Sequence, residues 1–392
     1  CDNGHINYWG YGPGYYFAPK RSYSSGKSAS RELKDMVREC HSAGIEVVLE
    51  MPFDAGMSPQ TVIECLRFYM FEYHIDGFVV NPYVVPWDIL SMDPFLKDIK
   101  LMRKDDGFQN VMRRYLKGDE NMVNDVIWAL GHNSRYDGKC NYITTHTGFT
   151  LCDLVSYDGK HNEANGERNH DGPDYNYSWN CGEEGPSRKK RINELRRRLC
   201  RNALLLTILC PGTPLINAGD EMGHTKKGNN NSWCQDSSIE WLNWEDLRKH
   251  GDIYEFTKRL IALRREHPVF RRKGALKGSD YLVTGLPDIS FHGMSAWKVD
   301  HEHFRRQLCV CLNGAYAAKE DGDPDDSFYI LMNMHWESHR FYVPRLPAGK
   351  SWKLLLDTSL EEPFCEAPLG DTLDEDYSIQ VPARSIIILT GK

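Results

Sequence analysis

The sequence predicts an α/β chain, with a parallel β/α barrel-type segment over residues 1–273 and an all-β sandwich over residues 274–392. Three observations carry this reading. Short continuous apolar runs alternate with amphipathic helical stretches in the first segment, as strands buried on both faces of a parallel sheet require. Beyond Gly274 the pattern changes to short β-prone runs separated by Gly, Pro and Asp turns. Between these regimes lies a long polar-aromatic stretch, Thr144 to Pro186, with almost no apolar periodicity. Loops of that length are functional or disordered, and Tyr175, Tyr177, Trp179 and Cys181 argue for order, since disordered segments are poor in aromatics.

Taken in order, Ser30 is placed to cap a helix whose apolar positions Leu33, Met36, Val37 and Cys40 follow helical spacing, with Gly44 ending it. Ile45 to Leu49 then reads as a buried strand, Thr61 to Glu72 as a helix, Gly77 to Val80 as a strand and Ile99 to Met102 as another. Helical segments carrying Phe108, Val111, Met112, Tyr115, Val123, Val126 and Ile127 lead to a β-prone stretch, Asn141 to Thr145, and a His146-Thr147-Gly148 turn. Arg191 to Leu209 is a strong helix stopped by Pro211-Gly212, and Thr213 to Asn217 is the last strand before the helix Ile253 to Glu266. The β segment holds runs at Gln307–Leu312, Phe328–Met332, Phe341–Val343, Trp352–Leu356, Ser378–Val381 and Ile386–Leu389. Asp321 to Asp326 reads as an acidic turn tip rather than a metal loop.

Composition narrows the function classes. With 41% hydrophobic and 11% aromatic residues the chain can bury a core, and a net charge of −7 argues against nucleic acid as the partner. The basic run Arg188 to Arg201, spaced along a helix with Leu195 and Leu199, reads as a solvated face. Twelve cysteines, scattered and without a CxxC pair, read as reduced core thiols, and the expectation is a cytoplasmic protein without membrane spans. The glycines of Gly10, Gly12 and Gly14 lack the flanking strand and helix of a dinucleotide site, and no cofactor or metal is implied. The chain opens on Cys1 rather than methionine, so the natural protein is expected to extend further.

Three words of the sequence, HNEANGE (His161–Glu167), SWNCGEEGP (Ser178–Pro186) and GHTKKGNNNSWCQD (Gly223–Asp236), resemble isoamylase-type glycogen debranching enzymes of the α-amylase superfamily. The resemblance covers most of the chain and fades after about residue 275. It implies a (β/α)8 barrel, followed here by the β-sandwich, and action on branched α-glucan. Counted from the NYWGYGP word (Asn7–Pro13), the first βα units of such a barrel are missing. The resemblance also places Tyr11 where the family stacks an aromatic on the sugar, with Gly12 in place of the family's Asp.

Retaining glycoside hydrolysis needs a carboxylate nucleophile and a carboxylic acid/base roughly 5 to 5.5 Å apart. In the family these stand at strand ends, where barrel enzymes carry their catalytic groups. The family word Gly-Phe-Arg-Phe-Asp-Leu reads here Gly77-Phe78-Val79-Val80-Asn81-Pro82, so the nucleophile position is Asn81 and its orienting arginine is Val79. The acid/base position falls on Lys104, the third carboxylate position on Thr147 beside His146, and a sugar-binding histidine is replaced by Ala55. An amide cannot form the glycosyl ester. None of the catalytic carboxylates is intact, and Tyr11 and His146 remain as candidate substrate contacts.

The leading expectation is a debranching-enzyme homologue that has lost hydrolysis and binds branched α-glucan or associates with an active relative. The alternatives are a working hydrolase of α-1,6 branch linkages with displaced acids, drawn from Glu50, Asp54, Asp76 or Asp88, and a remnant without function. His161, Asn162 and Glu163 are expected to shape the long loop. Glu183, Glu184, Asp220 and Glu221 are expected to pair with nearby groups rather than act as acids.

Overall fold

A computed structural model describes residues 4–12, 14–26, 28–133, 138–272, 274–368 and 376–392; Cys1 and Pro13 lie outside the described residues. The chain divides into two compact units, Cys1–Asp106 with Asp137–Cys140, and Gly107–Tyr136 with Asn141–Lys392. The first division therefore falls inside the α/β segment.

The first unit alternates α1 (Ala29–Ser42), β1 (Val48–Met51), α2 (Pro59–Tyr73), β2 (Gly77–Val80), α3 (Trp87–Met92) and β3 (Lys100–Arg103). The strands form a parallel sheet in the order β1-β2-β3, so consecutive strands are neighbours joined by helical crossovers. Register is set from Gly77, which lies opposite both Val48 and Lys100. A Cβ at Gly77 would come 2.3 Å from the Lys100 carbonyl oxygen, so the close approach of β2 and β3 requires glycine there. The core joins Val37, Val62, Leu66, Phe78, Val80 and Leu90, and the central strand β2 is apolar and buried throughout. The cap of α1 is Ser28, whose side chain accepts from Arg31 N; Ser30 instead lies inside the helix and bonds Tyr73 Oη at 2.9 Å. Both serines fit an N-cap by type, and the earlier one won because Ser30 has a tertiary partner.

The second unit begins with α4 (Gly107–Lys117) and α5 (Val123–Gly131), and the chain re-enters it through β4 (Cys140–Asn141). It continues with α6 (Leu151–Leu154), α7 (Lys190–Leu209), β5 (Thr213–Pro214), α8 (Asp246–Lys249) and α9 (Gly251–Glu266). Arg264 from α9 donates to the carbonyls of Ile208, Cys210 and Gly212, satisfying acceptors that the end of α7 leaves open. The basic stretch of α7 is not a solvated face throughout. Arg196 and Arg201 are buried, Arg196 donating to the Gly185 and Asn180 carbonyls and Arg201 to those of Leu360 and Glu361. Guanidinium donors can be buried where loop carbonyls converge, a pattern that charge counting along a helix does not reveal.

The remaining strands are β6 (Ile289–His292), β7 (Gln307–Leu312), β8 (Ser327–Asn333), β9 (His339–Tyr342), β10 (Trp352–Asp357), β11 (Phe364–Pro368), β12 (Ser378–Val381) and β13 (Ser385–Gly391). Six form an antiparallel sheet ordered β11-β10-β13-β8-β7-β6, and β12 pairs with β9. Alternation divides the larger sheet's residues between two cores. Leu308, Val310, Phe328, Ile330, Ile386 and Ile388 join the core of the helices, whereas Cys309, Cys311, Tyr329, Leu331 and Ile387 pack with Phe341, Val343, Ile379 and Val381 around the small sheet. Asp325 is not part of a solvated acidic tip: it is buried and accepts from Val269 N at 2.9 Å, with His267 Nδ1 at 2.7 Å.

Candidate functional site

In the first unit the parallel sheet directs β2 and β3 the same way, so Asn81 and Lys104 each follow the C-terminal residue of a strand. Asn81 starts a turn: its side-chain oxygen accepts from Tyr83 N at 2.9 Å and its carbonyl from Val84 N and Val85 N. This Asx turn matches the Pro82 that follows, because both favour leaving the strand direction. Lys104 N is bound to the Val80 carbonyl at 3.0 Å, and Lys104 Nζ reaches Glu50 Oε1 at 2.7 Å. Lys104 is 16% and Glu50 31% exposed at their side chains, so the pair is partly shielded. Val79, buried, lies in register between Glu50 and Met102.

Tyr11 joins the same cluster. Burial, reinforced by the charge of Glu50 and a hydrogen bond to it, pushes the Tyr11 phenol well above its usual range. Cys140 lies beside it: burial pushes its thiol up to about 12, with Asp105 and Glu50 adding to that and Lys104 opposing. Asp105 and Cys140 carry no signal in the sequence, because the fold rather than chain proximity brings that carboxylate to bear on the thiol. Gly12 holds φ +148, a conformation costly for a side-chain-bearing residue, so the loop cannot simply take back an aspartate there.

The other carboxylates considered from sequence are committed elsewhere or exposed. Asp54 accepts from Tyr16 Oη at 2.7 Å. Asp76 precedes β2, accepting from Val47 N at 2.7 Å and meeting His41 Nε2 at 2.8 Å. Five residue steps of extended chain separate it from Asn81, about 16 Å at the rise of a strand. Asp88 is exposed in the first turn of α3. Asp93 has structural bonds instead: burial works against its charge, but Arg67 and the Phe95 and Leu96 amides hold its carboxyl below the usual range.

In the second unit, Thr147 is exposed and its hydroxyl lies 2.9 Å from that of Thr145. The half-buried His146 is fixed through its backbone, its carbonyl accepting from Lys226 Nζ at 3.1 Å. Buried Lys226 also meets Ser232 Oγ at 3.0 Å and Glu240 at 2.9 Å. Asp220 is buried beneath this turn, bonded to Leu151 N at 2.8 Å and to Thr144 Oγ1, and burial raises its pKa to about 6.

The HNEANGE and GNNNSW words prove to be one asparagine lock. Asn162 Nδ2 donates to Asn230 Oδ1 at 2.8 Å while Asn230 N donates to Asn162 Oδ1 at 2.9 Å. Asn230 Nδ2 reaches Asn176 Oδ1, and Asn229 Nδ2 reaches Asn165 Oδ1. Asparagine offers a donor and an acceptor on one short side chain, so paired asparagines can satisfy a loop that has no sheet partner. His161 N is held by the Gly228 carbonyl at 2.7 Å. Glu184 accepts from the Asp158 and Gly159 amides and from Asn180, and Glu221 from Gly219 N, so these acids serve the scaffold.

No family model matches the chain. Among curated proteins it is 32% identical to the glycogen operon protein GlgX homolog of Mycobacterium tuberculosis, over 489 aligned positions covering 99% of this chain and 67% of that protein. It is 29% identical to the chloroplastic isoamylase 3 of Oryza sativa subsp. japonica, covering 93% of this chain and 56% of that protein. The first alignment is longer than the 392 residues here, so that relative carries segments this chain lacks. Among solved structures, a pullulanase from Bacillus acidopullulyticus matches with TM-score 0.69 at 18% identity, covering 98% of this chain and 51% of that one. A pullulanase from Paenibacillus barengoltzii, solved with maltohexaose and alpha-cyclodextrin, matches with TM-score 0.67 at 19% identity, covering 99% and 66%. These structural likenesses show a shared fold.

Proposed function

We propose, for a chain that belongs to the GlgX and isoamylase family of glycogen-debranching proteins, that this member binds branched α-glucan and does not hydrolyse it by the family's two-carboxylate route. The parallel sheet of the first unit is then a portion of a (β/α)8 barrel, with the antiparallel strands as its β-sandwich partner domain. One observation carries the reading: Lys104 holds Glu50 in an ion pair at 2.7 Å, next to Asn81 at the end of β2. An amide at the nucleophile position cannot form a glycosyl ester, and an ammonium at the acid/base position lacks a carboxylic acid's ready proton.

Tyr11 and His146 are the sugar contacts we assign, an aromatic face for stacking and an imidazole for a hydroxyl group. The protein serves as a glucan-binding or regulatory partner of an active homologue in a cytoplasmic setting. Co-sedimentation with glycogen tests the binding. The parent chain is expected in the pellet, and Tyr11→Ala and His146→Ala are expected to weaken retention; a parent that stays in the supernatant at all glycogen concentrations removes the binding claim.

The second reading, hydrolysis by relocated acids, centres on Glu50, with Asp105, which also bears on the Cys140 thiol, as a candidate partner. It requires Glu50 to leave Lys104 and Tyr11.

A further inference from the structure

The turn after β8 and the first residue of β9 carry the sequence His335-Trp336-Glu337-Ser338-His339, outside the residues assigned to sugar contact. A ligand atom from each of His335, Glu337 and His339 lies within 4.8 Å of the others. We propose that these three side chains form a binding site for a divalent transition-metal ion, with Zn2+ the best match to two imidazoles and one carboxylate.

Several observations support the proposal. Zn2+ takes nitrogen and carboxylate ligands at about 2.0–2.2 Å, which places ligand atoms of a tetrahedral site roughly 3.3 Å apart. The present separation therefore closes by side-chain adjustment, and Glu337, which is exposed, has the freedom to make it. His339 Nε2 is shielded from solvent and has no hydrogen-bond partner among the described residues, a costly state for a buried nitrogen that a metal bond would relieve. The backbone of the turn is fixed: Asn333 Nδ2 donates to the Glu337 carbonyl at 2.9 Å, and Arg384 N donates to the His335 carbonyl at 3.0 Å. His335 is further steadied by stacking on Trp336, with ring centroids 4.0 Å apart. Metal binding takes the Nδ1 lone pair of His335 that now accepts from Glu337 N at 3.1 Å, an amide at an exposed position that water can satisfy.

Positive charge nearby opposes a cation, and carboxylates offset it at two of the three guanidinium groups, while Arg384 keeps its charge. Arg305 pairs with Asp300, Arg306 with Glu120 at 3.3 Å, and Arg384 donates to the Lys117 carbonyl at 2.6 Å. The carboxylate of Glu337 supplies the ligand charge. The ion would join the turn after a strand of the six-stranded sheet to the first residue of β9, fastening the two sheets at one corner. Sequence reading passed over this group because three residues in a turn, without a second cluster, do not match a zinc-finger spacing.

The test is calorimetric titration of the chelator-treated full chain with Zn2+ alone, beside thermal unfolding with and without it. One equivalent is expected to bind and to raise Tm. His339→Gln and His335→Ala are each expected to lower affinity about tenfold or more. Glu337→Gln, exposed and so harmless to folding, is expected to lower it less, and Mg2+ to give no signal. Absence of Zn2+ binding overturns the proposal, as does stoichiometric binding that Glu337→Gln and the folded histidine variants leave unchanged.

Discussion

Lys104 Nζ lies 2.7 Å from Glu50 Oε1, pairing the first residue after β3 with the third residue of β1 across the intervening strand. Lys104 is thus a cation at a strand end whose partner is a β1 carboxylate.

Removing that cation should cost stability. Lys104→Met leaves Glu50 without its counter-ion in a partly shielded place, for an expected loss of about 1–3 kcal/mol, below the figure for a fully buried pair because Glu50 retains solvent contact. Urea denaturation measures it. A variant as stable as the parent would mean that the pair is an incidental surface contact.

The asparagine lock should be more sensitive. Asn230→Ala strips partners from buried Asn162 and Asn176 at once. The expected cost is about 2–3 kcal/mol, since buried polar groups left unmatched carry their desolvation penalty. Proteolysis of the 144–186 loop should quicken in parallel. Unchanged unfolding and cleavage would show that the loop is held by its other contacts.

Asp220 gives a pH dependence of defined sign. Burial raises its pKa from 3.8 to about 6, so the folded chain holds a proton that the unfolded chain releases. Its stabilising contribution is full below pH 3.8 and is lost as pH rises through about 6, a change on the order of 3 kcal/mol. Asp220→Asn cannot titrate, so its stability relative to the parent should improve by that order between pH 4 and pH 7. A constant difference would contradict the buried, proton-holding carboxyl.

Restoring the family residues together, Asn81→Asp, Val79→Arg, Lys104→Glu and Thr147→Asp, is expected to give weak hydrolysis or none while oligosaccharide binding is kept. Val79 is buried opposite Glu50, so an arginine there meets Glu50 as readily as the new aspartate. The Asn81 turn, followed by Pro82, also directs the chain away from the strand. A misplacement of about 1 Å can cost roughly a hundredfold in rate. Full activity in that variant would show a scaffold still preorganised for catalysis.

Much of this was legible in the residues themselves. The strand Gly77–Val80 was readable because a continuous apolar run after glycine leaves few alternatives, and Gln307–Leu312 because its turns bracket it. The strands β6 and β11 were not, since Ile289–His292 and Phe364–Pro368 mix polar and apolar residues and gain their order from pairing with β7 and β10. The positions of Asn81 and Lys104 at strand ends followed from the sequence words, but the Lys104–Glu50 pair did not, because no local rule joins residues two strands apart. The buried roles of Arg196 and Asp325 were hidden for the same reason: their partners, the Gly185 carbonyl and the Val269 amide, are supplied by the fold.

The central claim rests on reducing-end release from glycogen and pullulan by the purified chain, run with enough protein to expose slow turnover. The account predicts no release above buffer from a preparation that sediments with glycogen. Release that persists through repurification and disappears in Glu50→Gln or Asp105→Asn would contradict it, and would establish relocated carboxylates at the ends of the same strands.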